Sequence, residues 1–275
     1  MKFKTFLLEY KKMTETDFIE AVIQDCKPAL SEIMSGDDKY LYRSVSDELG
    51  GRSNWFEETV RKDRHPLDTP ERVHNVIDNW FLKKFGYKYR SASLFVSTNY
   101  EMIFSFSDVT SRPTTNIFYI IPKGSYKLCY SQKTKDLYID WLLNVTRWTN
   151  FLCEKKSELY YLKILFDDET LSKISSSTYK KILRELIMLV SHGIIPTHPK
   201  INNGDDIDID IEFDKDSAIK FQETVIIDLL DELEYIETTK FPRNNVGEIM
   251  LQCDQYYATR HEGPDTMGKI CYKLS

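Results

Sequence analysis

The sequence predicts an α+β protein in which a β-rich body is interrupted by a mainly helical middle section. Short apolar runs bounded by Gly, Pro or polar residues fall at 40–43, 93–98, 116–122, 248–253 and 255–259, with the length and punctuation of strands. Between the third and fourth runs lie 137–149, 178–192 and 216–235, which read as helices. A hydrophobic content of 41% against 29% charged residues marks a folded protein rather than a disordered or fibrous one. A length of 275 residues suffices for one large domain or two small ones.

Along the chain, residues 14–34 carry Phe18, Ala21, Val22, Leu30 and Ile33 on a helical period, and Pro28 is expected to kink or split that helix. The strand Tyr40-Leu41-Tyr42-Arg43 leads into a glycine-containing loop, Gly50-Gly51-Arg52-Ser53-Asn54. The best-signalled helix of the first half covers 69–86. Asp68 or Thr69 can cap it, Pro70 suits its first position, and Glu71 favours the positive end of the dipole. Val73, Val76, Ile77, Trp80, Phe81 and Phe85 form its apolar face, and Gly86 stops it. Pro122 ends the strand at 116–122, Gly193 ends the helix at 178–192, and a tight turn at Asp254 joins the last two strands.

The net charge, 37 − 43 = −6, argues against a broad phosphate-binding surface but leaves room for a local basic groove. No apolar run approaches the roughly 20 residues needed to cross a bilayer. Phe6-Leu7-Leu8 is too short for a secretory core, so a cytoplasmic protein without a membrane partner is expected. Five scattered cysteines without a Cys-x-x-Cys pair read as reduced thiols. The five histidines lack ligand spacing, so no metal is expected.

Three strand motifs place a polar group on or at the end of an apolar strand: Leu41-Tyr42-Arg43-Ser44, Phe95-Val96-Ser97-Thr98 and Gly247-Glu248-Ile249-Met250-Leu251. Singly, each has a plainer account: a surface ion-pair arginine, a turn, a solvated glutamate. Their order and context together resemble the Arg-Ser-Glu class of ADP-ribosyltransferases. In that family an Arg ends the first core strand, a Ser-Thr-Ser follows the second, and a Glu starts a later strand. The matching positions are Arg43, then Ser97 and Thr98, then Glu248. More narrowly, the chain looks like the ADP-ribosyltransferase-like proteins of large tailed bacteriophages. The likeness is carried by LYRS, the RKDRHPLDTPERVH-to-FG helix, FVST, YIIPKGSY and EIMLQCDQYY. It covers roughly residues 22–136 and 240–260 and leaves out the helical middle.

The resemblance implies a split β-sandwich core with an N-terminal helical segment at 1–38. The first part of the core would span 39–136, a mainly helical insertion 137–238, and closing strands with the catalytic Glu 239–275. It implies a mono-ADP-ribosyltransferase that binds NAD without a metal and breaks the nicotinamide–ribose bond. ADP-ribose would pass to a host protein or nucleic acid, or to water, in the host cytoplasm. The residue types suit an oxocarbenium-like transition state with a neutral leaving group. Glu248 is expected to bond the ribose 2′-hydroxyl and stabilise developing positive charge. Arg43, with Ser44 beside it, offers a fork for the diphosphate or adjacent ribose. Ser97 is expected to orient Glu248, Thr98 to support the nicotinamide pocket, and Tyr100 or Tyr119 to stack on nicotinamide or simply fill the core.

Two departures bear on the acceptor. Asn99 stands at the family's third serine. Val246 stands two residues before Glu248, where members that modify arginine or asparagine carry Glu or Gln. Val cannot polarise a nucleophile, which leaves a different acceptor, NAD hydrolysis, or substitution by Asn244, Asn245 or Gln252. The loop 240–245 is where such enzymes read their target, with Phe241, Arg243 and Asn245 as expected contacts. The alternative from a different class is a non-catalytic binding or structural protein that retains the fold.

Other signals read more plainly. The run 204–216, GDDIDIDIEFDKD, alternates Ile with Asp and misplaces the Gly and Glu of a calcium loop, so a strand with one acidic face is expected; an acidic decoy of nucleic acid is a weaker reading. His65 and His74 are expected in surface or capping roles. Arg61, Lys62, Arg64 and Arg72 form a basic cluster that is either a solvated face or a lining for the NAD phosphates. Leu7-Leu8-Glu9 resembles the processing site of capsid-targeting peptides in some large phages, which leaves virion packaging open.

Overall fold

The computed structural model describes residues 10–35, 39–46, 53–66, 69–109, 115–137, 145–155, 160–166, 168–172, 175–193 and 215–275. Contacts divide the chain into a first unit, Met1–Arg64, Lys88–Gln132 and Tyr235–Ser275, and a second, His65–Tyr87 and Lys133–Glu234.

The first unit holds β1 (Tyr10–Lys12), β2 (Leu41–Ser46), β3 (Trp55–Thr59), β4 (Leu94–Val96), β5 (Thr115–Pro122), β6 (Lys127–Tyr130), β7 (Ile236–Thr238), β8 (Ile249–Gln252) and β9 (Gln255–Arg260). They pair into two antiparallel sheets, β1-β3-β9-β5-β2 and β4-β8-β6-β7. Side chains alternate across a strand, so register assigns the faces. Leu41, Phe56, Phe118, Ile120 and Ala258 of the first sheet join Leu94, Val96, Leu128, Ile249 and Leu251 of the second in one buried cluster. The α+β class is therefore realised, with both sheets contributing to one core.

Helices α1 (Glu15–Asp25), α2 (Lys27–Ile33) and α10 (Thr266–Leu274) belong to the same unit. On the sheet's other face, Phe18 of α1 meets Tyr257 edge-on at 5.9 Å. Trp55 donates to Thr266 Oγ1 at 2.9 Å. The predicted helix at 14–34 is thus two helices separated at Cys26. Pro28 lies in the first turn of α2, where its missing N–H would have had no helical partner.

The second unit contains α3 (Glu71–Phe85), α6 (Val145–Lys155), a 3₁₀ turn (Leu162–Ile164), α7 (Asp168–Ser172), α8 (Ser176–Ser191) and α9 (Lys215–Glu232). Helix α3 ends at Gly86, whose φ of 74° is the left-handed cap that favours glycine. Pro70 takes the N-cap position rather than the first helical one, with extended backbone. Trp80 donates to Asp231 Oδ1 of α9 at 2.9 Å, and Tyr161 to Asp228 Oδ2 at 3.0 Å. Contacts thus group α3 with the helical section, whereas the sequence division had drawn 39–136 as continuous core. His74 is not a surface residue: it is buried, with Nε2 3.5 Å from Asp78 one turn along. Of the helix expected at 137–149, residues 145–149 fall in α6, and 138–144 lie outside the described residues.

Residues 204–214, Leu7-Leu8-Glu9, Gly50-Gly51-Arg52 and Asp68 lie outside the described residues; Lys215 and Asp216 open α9. Among the described residues, no helix is long and apolar enough to cross a membrane. Nor do three His, Cys, Asp or Glu side chains gather there as a metal site would require.

Candidate functional site

Arg43 is the third residue of β2. It is paired with Phe118, which is paired in turn with Arg260, so all three share the core-facing side of the first sheet. The Arg43 guanidinium crosses to the second sheet, where Nη1 donates to the Phe95 carbonyl at 3.0 Å. Phe95 lies between the buried Leu94 and Val96 in β4, so its ring projects away from the core. Two guanidinium groups lie over that ring: the Cζ atoms of Arg64 and Arg90 are each 4.8 Å from its centroid. Cation–π attraction adds to the hydrogen bonds that hold both guanidinium groups here.

Glu248 immediately precedes β8. Both of its oxygens accept from Arg90 Nη1 at 3.0 Å, and the two side chains are each only 11% exposed. Arg90 sits on α4 (Tyr89–Ala92), which is clamped in place. Tyr89 is fully buried and its hydroxyl donates to Glu237 at 2.6 Å and to Gln252 at 3.3 Å. Ser93 donates to the Tyr89 carbonyl, and Arg64 reaches the same segment through Ser91 O and Ser93 O, both at 3.0 Å.

Burial pushes the Arg64 pKa down to about 10, helped by the positive charges of Arg43, Arg90 and Arg61 and opposed by Glu248. Arg43, Arg64, Arg90 and Glu248 are therefore within electrostatic reach of one another. Among the charges that act on Arg64, three arginines stand against one carboxylate, so positive charge prevails about it in a protein of net negative charge. That balance suits an anionic ligand, and guanidinium forks suit phosphate oxygens.

Ser97 does something other than expected. Ser97 Oγ donates to the Val246 carbonyl at 2.8 Å and accepts from Asn99 N at 2.9 Å, so it does not bond Glu248. Its backbone exchanges two hydrogen bonds with Tyr42, tying the end of β4 to β2. Thr98 Oγ1 accepts from Val246 N at 2.9 Å and donates to Asn244 O at 3.2 Å. The pair staples the segment before Glu248 to the second strand motif, acting on the glutamate through the backbone. Asn99 caps α5 (Tyr100–Val109), accepting from Met102 N at 3.1 Å.

Alternation in β2 and β5 puts Ser44 and Tyr119 on the face opposite Arg43. Tyr119 packs with Tyr40 and Tyr42 at 4.8 and 5.4 Å between centroids, and His261 lies against it at 5.0 Å. Tyr100 stacks on His261 at 4.4 Å and meets Tyr42 at 5.7 Å. These partly buried tyrosines form an aromatic cluster across the sheet from the arginines. Phe241 is buried against Tyr126 rather than presented to a target; Arg243 and Asn245 are exposed, and Val246 is buried. Of the basic cluster, Arg64 joins the site. Arg61 pairs with Asp63 at 3.7 Å, and Lys62 bonds Cys253 O at 2.7 Å and Asp254 at 3.2 Å.

Arg90 was missed by sequence reasoning. It lies in a polar stretch, Lys88-Tyr89-Arg90-Ser91, which carries neither period nor motif. Its only signal is a position just before the FVST strand, and that becomes meaningful once β4 and β8 are known to pair.

Burial lowers the His261 pKa, with Glu262 acting the other way, and Nδ1 is buried without a partner among the described residues. Above about pH 6.5 the imidazole is neutral in both states and contributes no pH dependence. As pH falls from there toward the depressed folded value, the unfolded chain takes up the proton first, and stability is lost. Asp25 and Glu15, whose pKa values are lowered chiefly by hydrogen bonds from Tyr257 and Lys269, contribute stability that is lost only at more acid pH. The stability of the first unit, read from native-state hydrogen exchange at the amides of β9 after correction for intrinsic exchange rates, is expected to fall between pH 7 and 5.5, and His261→Phe to flatten that limb. An unchanged limb in the variant would exclude His261 as its cause.

Comparison with protein-family models, with curated proteins and with solved structures finds no match to this chain.

Proposed function

We propose that the first unit is an ADP-ribosyltransferase-like split β-sandwich that binds NAD and cleaves its nicotinamide–ribose bond. The observation that supports this reading best is the gathering of Arg43, Arg64 and Arg90 about Phe95 with Glu248 as their carboxylate. A dinucleotide needs both kinds of group: cations for its diphosphate and an anion where the ribose becomes positive. In the reaction the bond from ribose C1′ to the nicotinamide nitrogen breaks, and its electron pair leaves with neutral nicotinamide. A nucleophile then bonds C1′ and its proton passes to solvent. Glu248 stabilises the oxocarbenium-like state and accepts from the 2′-hydroxyl. Arg43 and Arg64 hold the diphosphate and so fix the ribose against that carboxylate. Val246 is buried and apolar, so the residue two places before Glu248 does not activate an acceptor; of the exposed loop residues Lys240, Arg243, Asn244 and Asn245, the reading assigns Arg243 and Asn245 to meet one, a host protein or nucleic acid.

The test is incubation of the purified protein with NAD labelled separately in the nicotinamide and adenylate moieties, with and without host lysate. Release of labelled nicotinamide with adenylate label entering macromolecules supports transfer; release without incorporation supports hydrolysis. Absence of both, with no NAD binding by calorimetry, would reject the reading. The rival is a binding protein that retains the fold, for which the Arg90–Glu248 pair is merely a structural ion bridge. It predicts tight partner capture by a protein indifferent to NAD.

A further inference from the structure

We propose that Arg90 is the positioning residue that orients the Glu248 carboxylate and keeps it ionised, the task expected of Ser97. The inference rests on the reading of Glu248 as the group facing the ribose, and it adds a residue which that reading did not contain. The charged groups around this corner are Arg43 from β2, Arg61 and Arg64 from the segment after β3, and Arg90 from α4. Arg43 donates to Phe95 O and Arg64 to Ser93 O. Arg90 is the one of the three whose guanidinium reaches both carboxylate oxygens.

Three features make Arg90 a support rather than a passing contact. Its helix is anchored by the fully buried Tyr89 and by the Ser93 and Arg64 bonds, so its backbone is held from both sides. Its guanidinium lies over the Phe95 ring, which restricts the side chain's rotamers. Both partners are about nine-tenths buried, where a nearby positive charge acts on a carboxylate more strongly than at the surface.

The experiment measures the Glu248 titration directly, by carboxyl-carbon NMR on glutamate-labelled protein with the resonance assigned through Glu248→Gln. The pH profile of nicotinamide release is recorded on the same samples. Arg90→Met is expected to raise the Glu248 midpoint by about one to three units. The acid limb of kcat should move with it, and kcat should fall about ten- to a hundredfold with a smaller change in KM. Arg90→Lys is expected to keep the midpoint near wild type while lowering kcat, because charge is retained and the planar fork is lost. Should the Met variant fail to fold, full kcat in the Lys variant would overturn the positioning role. An unmoved midpoint in folded Arg90→Met overturns the proposal outright. A midpoint that moves in a protein that releases no nicotinamide at any pH upholds the action of Arg90 on Glu248 and instead rejects the NAD reading.

Discussion

Glu248→Gln is expected to lower nicotinamide release from NAD at least about a hundredfold, the effect of removing one key electrostatic group from a water-poor site. That ratio corresponds to about 2.7 kcal/mol of transition-state stabilisation. Glutamine is the informative replacement: it keeps the side-chain volume and its carbonyl can still accept from Arg90. The buried guanidinium then keeps this hydrogen-bond partner, which alanine would remove. What disappears is the negative charge that the proposed mechanism requires opposite the ribose. Single-turnover release measured alongside NAD affinity separates the outcomes. Affinity within a few-fold of wild type with collapsed turnover fits a group that acts in the transition state. Wild-type turnover in the variant removes Glu248 from the mechanism.

Phe118→Ala is expected to destabilise the first unit by about 3–5 kcal/mol, as removal of a fully buried aromatic generally does. Phe118 has no exposed surface, meets Phe56 edge-on at 5.2 Å, and lies in register between Arg43 and Arg260, with the Arg260 guanidinium carbon 5.9 Å from its ring. Its removal opens the core beside the strand that carries Arg43, so structural and functional losses should coincide. Because the chain has two units, a single melting temperature is a poor measure. Native-state hydrogen exchange at the amides of β5 and β9 reports the first unit by itself. Exchange there should accelerate by two orders of magnitude or more. A change of less than tenfold would contradict the central place assigned to this ring.

Local physics accounts for much of what could be read without coordinates. The period and glycine stop of α3, the split of the first helix near Pro28, and the turn at Asp254 depend on neighbours in the chain. They were legible for that reason. Strands β3, β6 and β7 were not anticipated, nor was α4. They are three to five residues long and owe their existence to pairing partners far along the chain, such as Tyr130 with Ile236 and Phe56 with Ala258. The grouping of α3 was not legible for a related reason: its apolar face fits a helix partner, and only packing revealed that this partner is α9.

The site divides the same way. Arg43 and Glu248 stood out because each is a polar residue at a strand with an otherwise apolar composition, a pattern written in sequence order. Composition and periodicity by themselves pointed to the α+β class and the helical middle; the two candidates came from the order of the three strand motifs and the resemblance that order carries. Tertiary structure decided which side chains reach them. It brought in Arg64 and Arg90 over Phe95, gave Ser97 to Val246, and buried Phe241. It also set Tyr119 across the sheet from Arg43. The physical reason is that a hydrogen bond or ion pair acts over about three ångströms in space, whereas the sequence records only distance along the chain.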